Sequence, residues 1–110
     1  MTTIEYTHMP SFFGIEFRGH AGFAPAGKDI VCAAVSILAS ELIFAAEQAQ
    51  AGGEICDLTH SEGGAFVNLR YFYRDNRSMR QIAKLILASL KMLEAQYGDY
   101  IKVRAANFDE

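Results

Sequence analysis

Cysteine is scarce in this 110-residue chain: Cys32 and Cys56 are the only two. Two cysteines do not make the disulfide framework of a small secreted domain. There is no Cys-x-x-Cys pair, so the dithiol redox motif is excluded. His8, His20 and His60 are scattered and show no close ligand spacing with the cysteines, so no metal and no cofactor are expected. Positive charge is also in deficit. Ten Lys and Arg face 13 Asp and Glu, and the net charge of −3 argues against direct nucleic-acid binding. A local basic patch from Arg74, Arg77, Arg80 and Lys84 stays open. The start, Met-Thr-Thr-Ile-Glu, lacks a basic region followed by an apolar run, so no signal peptide is expected. The longest apolar region, Ile30 to Ala46, is interrupted by Ser36, Ser40 and Glu41. It reads as too short and too polar for a membrane span, and no membrane partner is expected. A reducing cytoplasm is the expected compartment. Gly19-x-x-Gly22 lacks the full glycine-rich strand–helix signature of a phosphate loop. Repeats, low-complexity tracts and linkers are missing too.

What is present is an ordinary globular composition, 51% hydrophobic and 21% charged. It predicts one domain over 1–110 with enough length for a real core. Thr2 to Thr7 and Ser11 to Gly19 read as strands, the second with Phe13, Ile15 and Phe17 on one face. His8-Met9-Pro10-Ser11 is the turn between them. Ile30 to Gln50 has no Gly or Pro and is rich in Ala, Leu and Ile, which predicts a helix stopped by Gly52-Gly53. Glu54 to His60 alternates Ile55, Asp57 and Thr59 against Cys56, Leu58 and His60, as a strand does. Ser61-Glu62-Gly63-Gly64 reads as a hairpin turn, with Ala65 to Tyr73 as the return strand. A second helix starts near Asn76 or Ser78, where Ser78-Met79-Arg80-Gln81 fits a capping box. Its apolar stripe is Ile82, Ile86, Leu90, Leu93 and Tyr97. Tyr100 to Ala106 is a last strand. The order is ββαββαβ, an α+β class with a mixed sheet carrying two helices. The first helix is apolar nearly all round, which predicts burial on more than one side and a homodimer contact over part of it.

The chemistry concentrates between Gly19 and Ser36. Asp29 is a good N-cap, so Cys32 falls at the third helical position, where the helix end favours an anion. Asp29 itself works against that effect. His20 would end the second strand, and a loop with Gly22 and Gly27 as hinges can bring it to Cys32. A thiol attacks only as thiolate, and a helix N-terminus or a histidine promotes that form. Cys32 can thus be a nucleophile with His20 as its base, or simply a small buried hydrophobe. Asp29 can be the cap alone or can also orient His20. Ser36, one turn above Cys32, can be structural or can touch the thiol or a bound peptide. His8 and His60 read as surface residues and Cys56 as core or edge packing. Tyr71-Phe72-Tyr73-Arg74 could stack bases, although aromatic strands are more often core.

Gly19-His20-Ala21, followed by Gly27-Lys28-Asp29-Ile30-Val31-Cys32-Ala33-Ala34-Val35-Ser36, closely resembles the signature of the bacterial ribosomal-processing cysteine protease family, called Prp. The size and element order are also similar, so the resemblance covers nearly the whole chain. It implies a cytoplasmic, homodimeric cysteine endopeptidase. The implied partner is a ribosomal protein precursor, large-subunit protein L-twenty-seven, from which the family removes an N-terminal extension. His20 matches the catalytic histidine and Cys32 the nucleophile. Asp29 and Ser36 match the two other polar positions. The implied mechanism has His20 deprotonate Cys32 and later protonate the leaving amine. Backbone N–H groups at the start of the first helix would receive the oxyanion, and the Ala21 to Lys28 loop would close over the peptide. The resemblance also implies aromatic residues just before the cut, for which Tyr71, Phe72, Tyr73 or Phe23 could supply the pocket. Two other classes remain open from the residues alone: a non-enzymatic ribosome-associated assembly factor, and a thiol-dependent hydrolase of small acyl substrates.

Overall fold

Seven elements form in the order the hydrophobic patterns predict: β1 (Thr2–His8), β2 (Phe12–Arg18), α1 (Ile30–Ala51), β3 (Ile55–Gly63), β4 (Phe66–Tyr73), α2 (Arg77–Gln96) and β5 (Ile101–Ala105). The computed structural model describes residues 1–25, 27–74 and 77–106, with Arg77 described by its backbone only. The strands make one sheet in the order β3-β4-β2-β1-β5. β1 and β5 are parallel and the other neighbours antiparallel. Pairing sets one apolar face, because Ile4 lies opposite Phe17, Ile15 opposite Leu69, Phe13 opposite Tyr71 and Ile55 opposite Tyr73. All eight are buried. Both helices pack on this face. Val35, Ala39, Leu42 and Ala46 of α1 share one core cluster with Met79, Ala83, Ile86 and Leu90 of α2. A buried leucine such as Leu42 contributes about 1.5–3 kcal/mol by its removal from water. The other sheet face carries charge. Glu5 pairs with Arg18 at 3.0 Å and Arg104 at 2.9 Å, and Arg18 also reaches Glu16 at 2.9 Å.

Several local expectations are corrected. The β3–β4 turn is Gly64-Ala65, two residues rather than four, because Glu62 and Gly63 stay paired with Val67 and Phe66. The alternation expected for β3 breaks at a bulge between Cys56 and Thr59, where Asp57 adopts φ 54°. Aspartate is one of the few non-glycine residues that enter this region readily. Ser78 lies within α2 rather than at its cap, since the helix already includes Arg77; Asn76, the other expected start, is outside the described residues. His8 is half-buried rather than a free surface residue. Its Nε2 lies 3.0 Å from the Tyr73 hydroxyl, and its ring meets Phe13 edge-on. Burial, followed by the charges of Arg80 and Lys84, pushes its pKa down. Arg80 stacks over Tyr73 at 4.1 Å and donates to the carbonyls of Met9 and Pro10. It therefore clasps the β1–β2 turn to α2, and the Arg77 side chain of the expected basic patch lies outside the described residues.

α1 runs for 22 residues and, by length and composition alone, is long and apolar enough to cross a membrane, contrary to the sequence expectation. The apolar region read from the sequence stops at Ala46, while the helix, expected over Ile30 to Gln50, runs to Ala51. Its Val31, Val35, Ala39, Leu42, Ala46 and Ala49 are buried, and Ile37 and Phe44 are exposed.

Candidate active site

β2 ends at Arg18, and the chain leaves the sheet through Gly19 and His20 toward the start of α1. The helix begins where the sequence predicts because Asp29 caps it. Its backbone is extended (φ −88°, ψ 98°), and its Oδ1 accepts the Cys32 N–H at 2.9 Å. The second oxygen, Oδ2, accepts Phe23 N–H at 3.0 Å and Ala24 N–H at 3.5 Å. The Cys32 N–H is the largest influence on this carboxyl and holds its pKa below the usual aspartate value; partial burial opposes that, and the loop N–H groups reinforce it. Asp29 is thus both cap and loop tether. With its oxygens turned to these N–H groups, the alternative role of orienting His20 finds no support in the geometry.

The cap places Cys32 at the third helical residue, half-buried, and its Sγ lies 3.9 Å from His20 Nδ1. The positive end of α1 favours negative charge on the sulfur. Ala21 N–H donates to the same sulfur at 3.5 Å. The loop between carries Gly22 at φ 75° and Gly27 at φ 87°, the two positions expected to act as hinges. Ala26 falls outside the described residues. Phe23 is held outside the cleft, edge-on against Tyr97 and Tyr100 at 5.6 and 5.2 Å.

Two cavities meet at the His20–Cys32 pair. A cleft of about 660 Å³ runs between the loop and the start of α1, from Gly22 and Ala24 past Lys28 to Ile30 and Ser36. That is the size of a ligand site. On the other side of the pair is a recess of about 100 Å³, walled by Phe17, Val35, Ala39, Phe66 and Val67. Ser36 lines both. Its position one turn above Cys32 is as the helical spacing predicts, and the residue is exposed rather than in the core.

Some expected site features are not brought here. Tyr71 and Tyr73 are buried in the core, and Phe72 is exposed beside Phe12 on the reverse sheet face. Neither they nor Phe23 line either cavity; the aromatic walls are Phe17 and Phe66. The helix-start donors expected to receive an oxyanion are partly committed, Cys32 N–H to Asp29 Oδ1 and Ala33 N–H to the Asp29 carbonyl at 3.0 Å. Ala21 N–H, from the loop, is the donor already at the sulfur. Cys56 is half-buried in β3 opposite Phe72, away from the cleft. His60 sits on the surface between Glu62 and Glu47. Among the described residues, no three His, Cys, Asp or Glu side chains converge as metal ligands. Thr2, Phe17 and Phe66 are the residues that sequence reasoning did not connect to this site. The period-2 pattern places Phe17 three positions before His20 on the buried face, but only the strand pairing of Phe17 with Val67 brings the hairpin alongside.

Residues 1–102 match the profile of the family described as cysteine protease Prp. The chain belongs to this family. Membership fixes the class of reaction, peptide hydrolysis by a cysteine protease, in a family involved in ribosomal processing. The ribosomal processing cysteine protease Prp of Bacillus subtilis (strain 168) is 28% identical over 105 residues, 92% of each chain. The protein of the same name from Staphylococcus aureus (strain NCTC 8325 / PS 47) is 30% identical over 87 residues, 77% of this chain and 78% of that one. The crystal structure of an essential ribosomal processing protease Prp from S. aureus, with a covalently linked product peptide, superimposes with a TM-score of 0.70. It is 25% identical and covers 96% of this chain and 99% of its own.

Proposed function

We propose that this chain is an endopeptidase that uses Cys32 as nucleophile and His20 as base. We propose further that it removes the N-terminal extension of the precursor of large-subunit ribosomal protein L-twenty-seven. The observation that carries the reading is the placement of Cys32 Sγ at the positive end of α1, 3.9 Å from His20 Nδ1, on the rim of a peptide-sized cleft. That spacing is loose for a hydrogen bond, as is common before substrate tightens a catalytic pair. His20 takes the thiol proton, and the thiolate attacks the scissile carbonyl. Ala21 N–H is placed to turn from the sulfur to the developing oxyanion. The His20 imidazolium then protonates the leaving amine, and water releases the acyl group from the sulfur. Asp29 holds the loop that carries Ala21. Gly22 and Gly27 let that loop open and close over the peptide. The substrate follows the ribosomal-processing relatives, and the peptide on the S. aureus structure supports a peptide in the cleft.

The enzyme works in the cytoplasm as a homodimer on this reading. The outward side of the helical layer supports self-association. Ile37 and Phe44 of α1 are 67% and 63% exposed, and Leu85 and Met92 of α2 are 67% and 62% exposed. The deciding experiment incubates a peptide copying the extension with wild type, Cys32→Ala and His20→Ala, read by mass spectrometry. A single cut by wild type and none by either variant is expected. Equal cutting by Cys32→Ala would remove the nucleophile assignment, and no cut by folded, reduced wild type would remove the substrate.

A further inference from the structure

We propose that Thr2 is a positioning residue for the reacting pair, acting through the peptide at Gly19. The inference rests on the reading of His20 and Cys32 as that pair. Thr2 is 2% exposed and is the one polar residue among the described residues in the buried set. A hydroxyl at a core position of a strand is costly unless it is hydrogen-bonded. Valine would fill the same space without that cost. The Thr2 hydroxyl has a single specific task, donating to the Gly19 carbonyl at 3.1 Å.

Gly19 is held from two more directions. Its N–H donates to the Ala65 carbonyl, in the β3–β4 turn, at 2.8 Å. Its backbone is left-handed at φ 86°, and a Cβ there would stand 2.5 Å from the Met1 carbonyl oxygen. Only glycine fits such a position. The hairpin turn and the Thr2 hydroxyl therefore fix the two peptide units that flank Gly19, one on each side of its Cα. His20 follows Gly19 directly, and Ala21, whose N–H meets the sulfur, comes next.

This anchoring has a chemical purpose because the His20 ring donates no hydrogen bond to a carboxylate or carbonyl among the described residues. Its polar neighbour among the described residues is Cys32 Sγ. In a Cys or Ser triad a third group orients the imidazole, and here the geometry leaves Asp29 turned to the Cys32, Phe23 and Ala24 N–H groups. The direction of the ring is set instead by the backbone that delivers it, and Thr2 locks that backbone.

The test compares full-length wild type, Thr2→Val and Thr2→Ser. Three quantities are read: kcat and KM on the extension peptide, the rate of Cys32 alkylation by iodoacetamide at pH 7, and the melting temperature. Thr2→Val keeps the shape and removes the hydroxyl. It is expected to lower kcat about tenfold, the effect of one lost hydrogen bond, with KM within about twofold and alkylation slowed in parallel. Thr2→Ser restores both rates. Thr2→Ala carries the same comparison should Thr2→Val not fold. A variant that melts lower but keeps wild-type kcat and alkylation would overturn the proposal, as would Thr2→Ser reacting as slowly as Thr2→Val. If wild type cuts no peptide, the substrate reading fails separately, and the alkylation rates alone decide the role of Thr2.

Discussion

Asp29 uses two oxygens to serve three N–H groups, and that economy is what joins the helix start to the loop. Its cap role is legible in the sequence because a cap and its helix are neighbours along the chain. The tether to Phe23 and Ala24 is not, since it depends on the path the loop takes back over the helix end. The same contrast separates His20 and Cys32, which share one segment, from Thr2, Ala65 and Phe66, which strand pairing brings to them. Asp29→Ala is expected to lower the melting temperature and to cut kcat by about one to two orders of magnitude, the scale of a misplacement near 1 Å. Peptide kinetics with circular dichroism melting check both. A loss of stability with kcat intact would mean that the tether does not position Ala21. The pH behaviour follows from the direction of the Asp29 shift. The unfolded carboxyl titrates near 3.8 and the folded one lower. Its stabilisation is therefore complete above the unfolded value and is lost as pH falls through the folded one.

Between elements, periodicity is a good guide wherever packing is continuous. The expected α2 stripe is buried or half-buried throughout, and Phe13, Ile15 and Phe17 form the buried face of β2. It fails for β3, where the Asp57 bulge shifts the register and no local residue pattern signals an inserted residue. The bulge leaves His60 exposed against α1. Its Nδ1 lies 2.6 Å from Glu62 and its Nε2 3.4 Å from Glu47 of the helix. The Glu62 hydrogen bond raises the His60 pKa most, burial opposes it, and the charges of both glutamates add to the rise. Because the folded pKa exceeds the unfolded 6.5, this clasp stabilises fully below 6.5 and is lost as pH rises through the folded value. It is a surface interaction, so its worth is about 0.5 kcal/mol or less. Urea unfolding of His60→Gln should show that deficit at pH 5.5 and none at pH 9. An equal deficit at both would mean the residue acts by packing rather than charge.

At the scale of the molecule, two layers cannot hide every apolar surface that α1 and α2 offer. The inner side of each helix meets the sheet, and the sheet's reverse face carries the Glu5, Glu16, Arg18 and Arg104 charges beside the Phe12–Phe72 pair. The all-round apolarity of α1 is plain in the sequence. The strand order β3-β4-β2-β1-β5 is not, because parallel pairing of β1 with β5 joins segments from opposite ends of the described chain. Only that order decides which helix residues are left outward. Ile37 and Phe44 lie seven residues apart on α1, so they form one stripe, and a stripe of large exposed hydrophobics is what marks an association surface. On the proposed dimer, sedimentation equilibrium should give twice the 12.2 kDa chain mass. Phe44→Glu combined with Ile37→Glu should return it to the single-chain value, because a buried unpaired carboxylate at the contact is strongly unfavourable. Neither Ile37 nor Phe44 lines the cleft or the recess. The monomeric variant is therefore expected to keep wild-type Cys32 alkylation. A double variant that still sediments at twice the chain mass would move the contact to another face. A monomer that loses thiol reactivity would show that the second copy holds the site in shape.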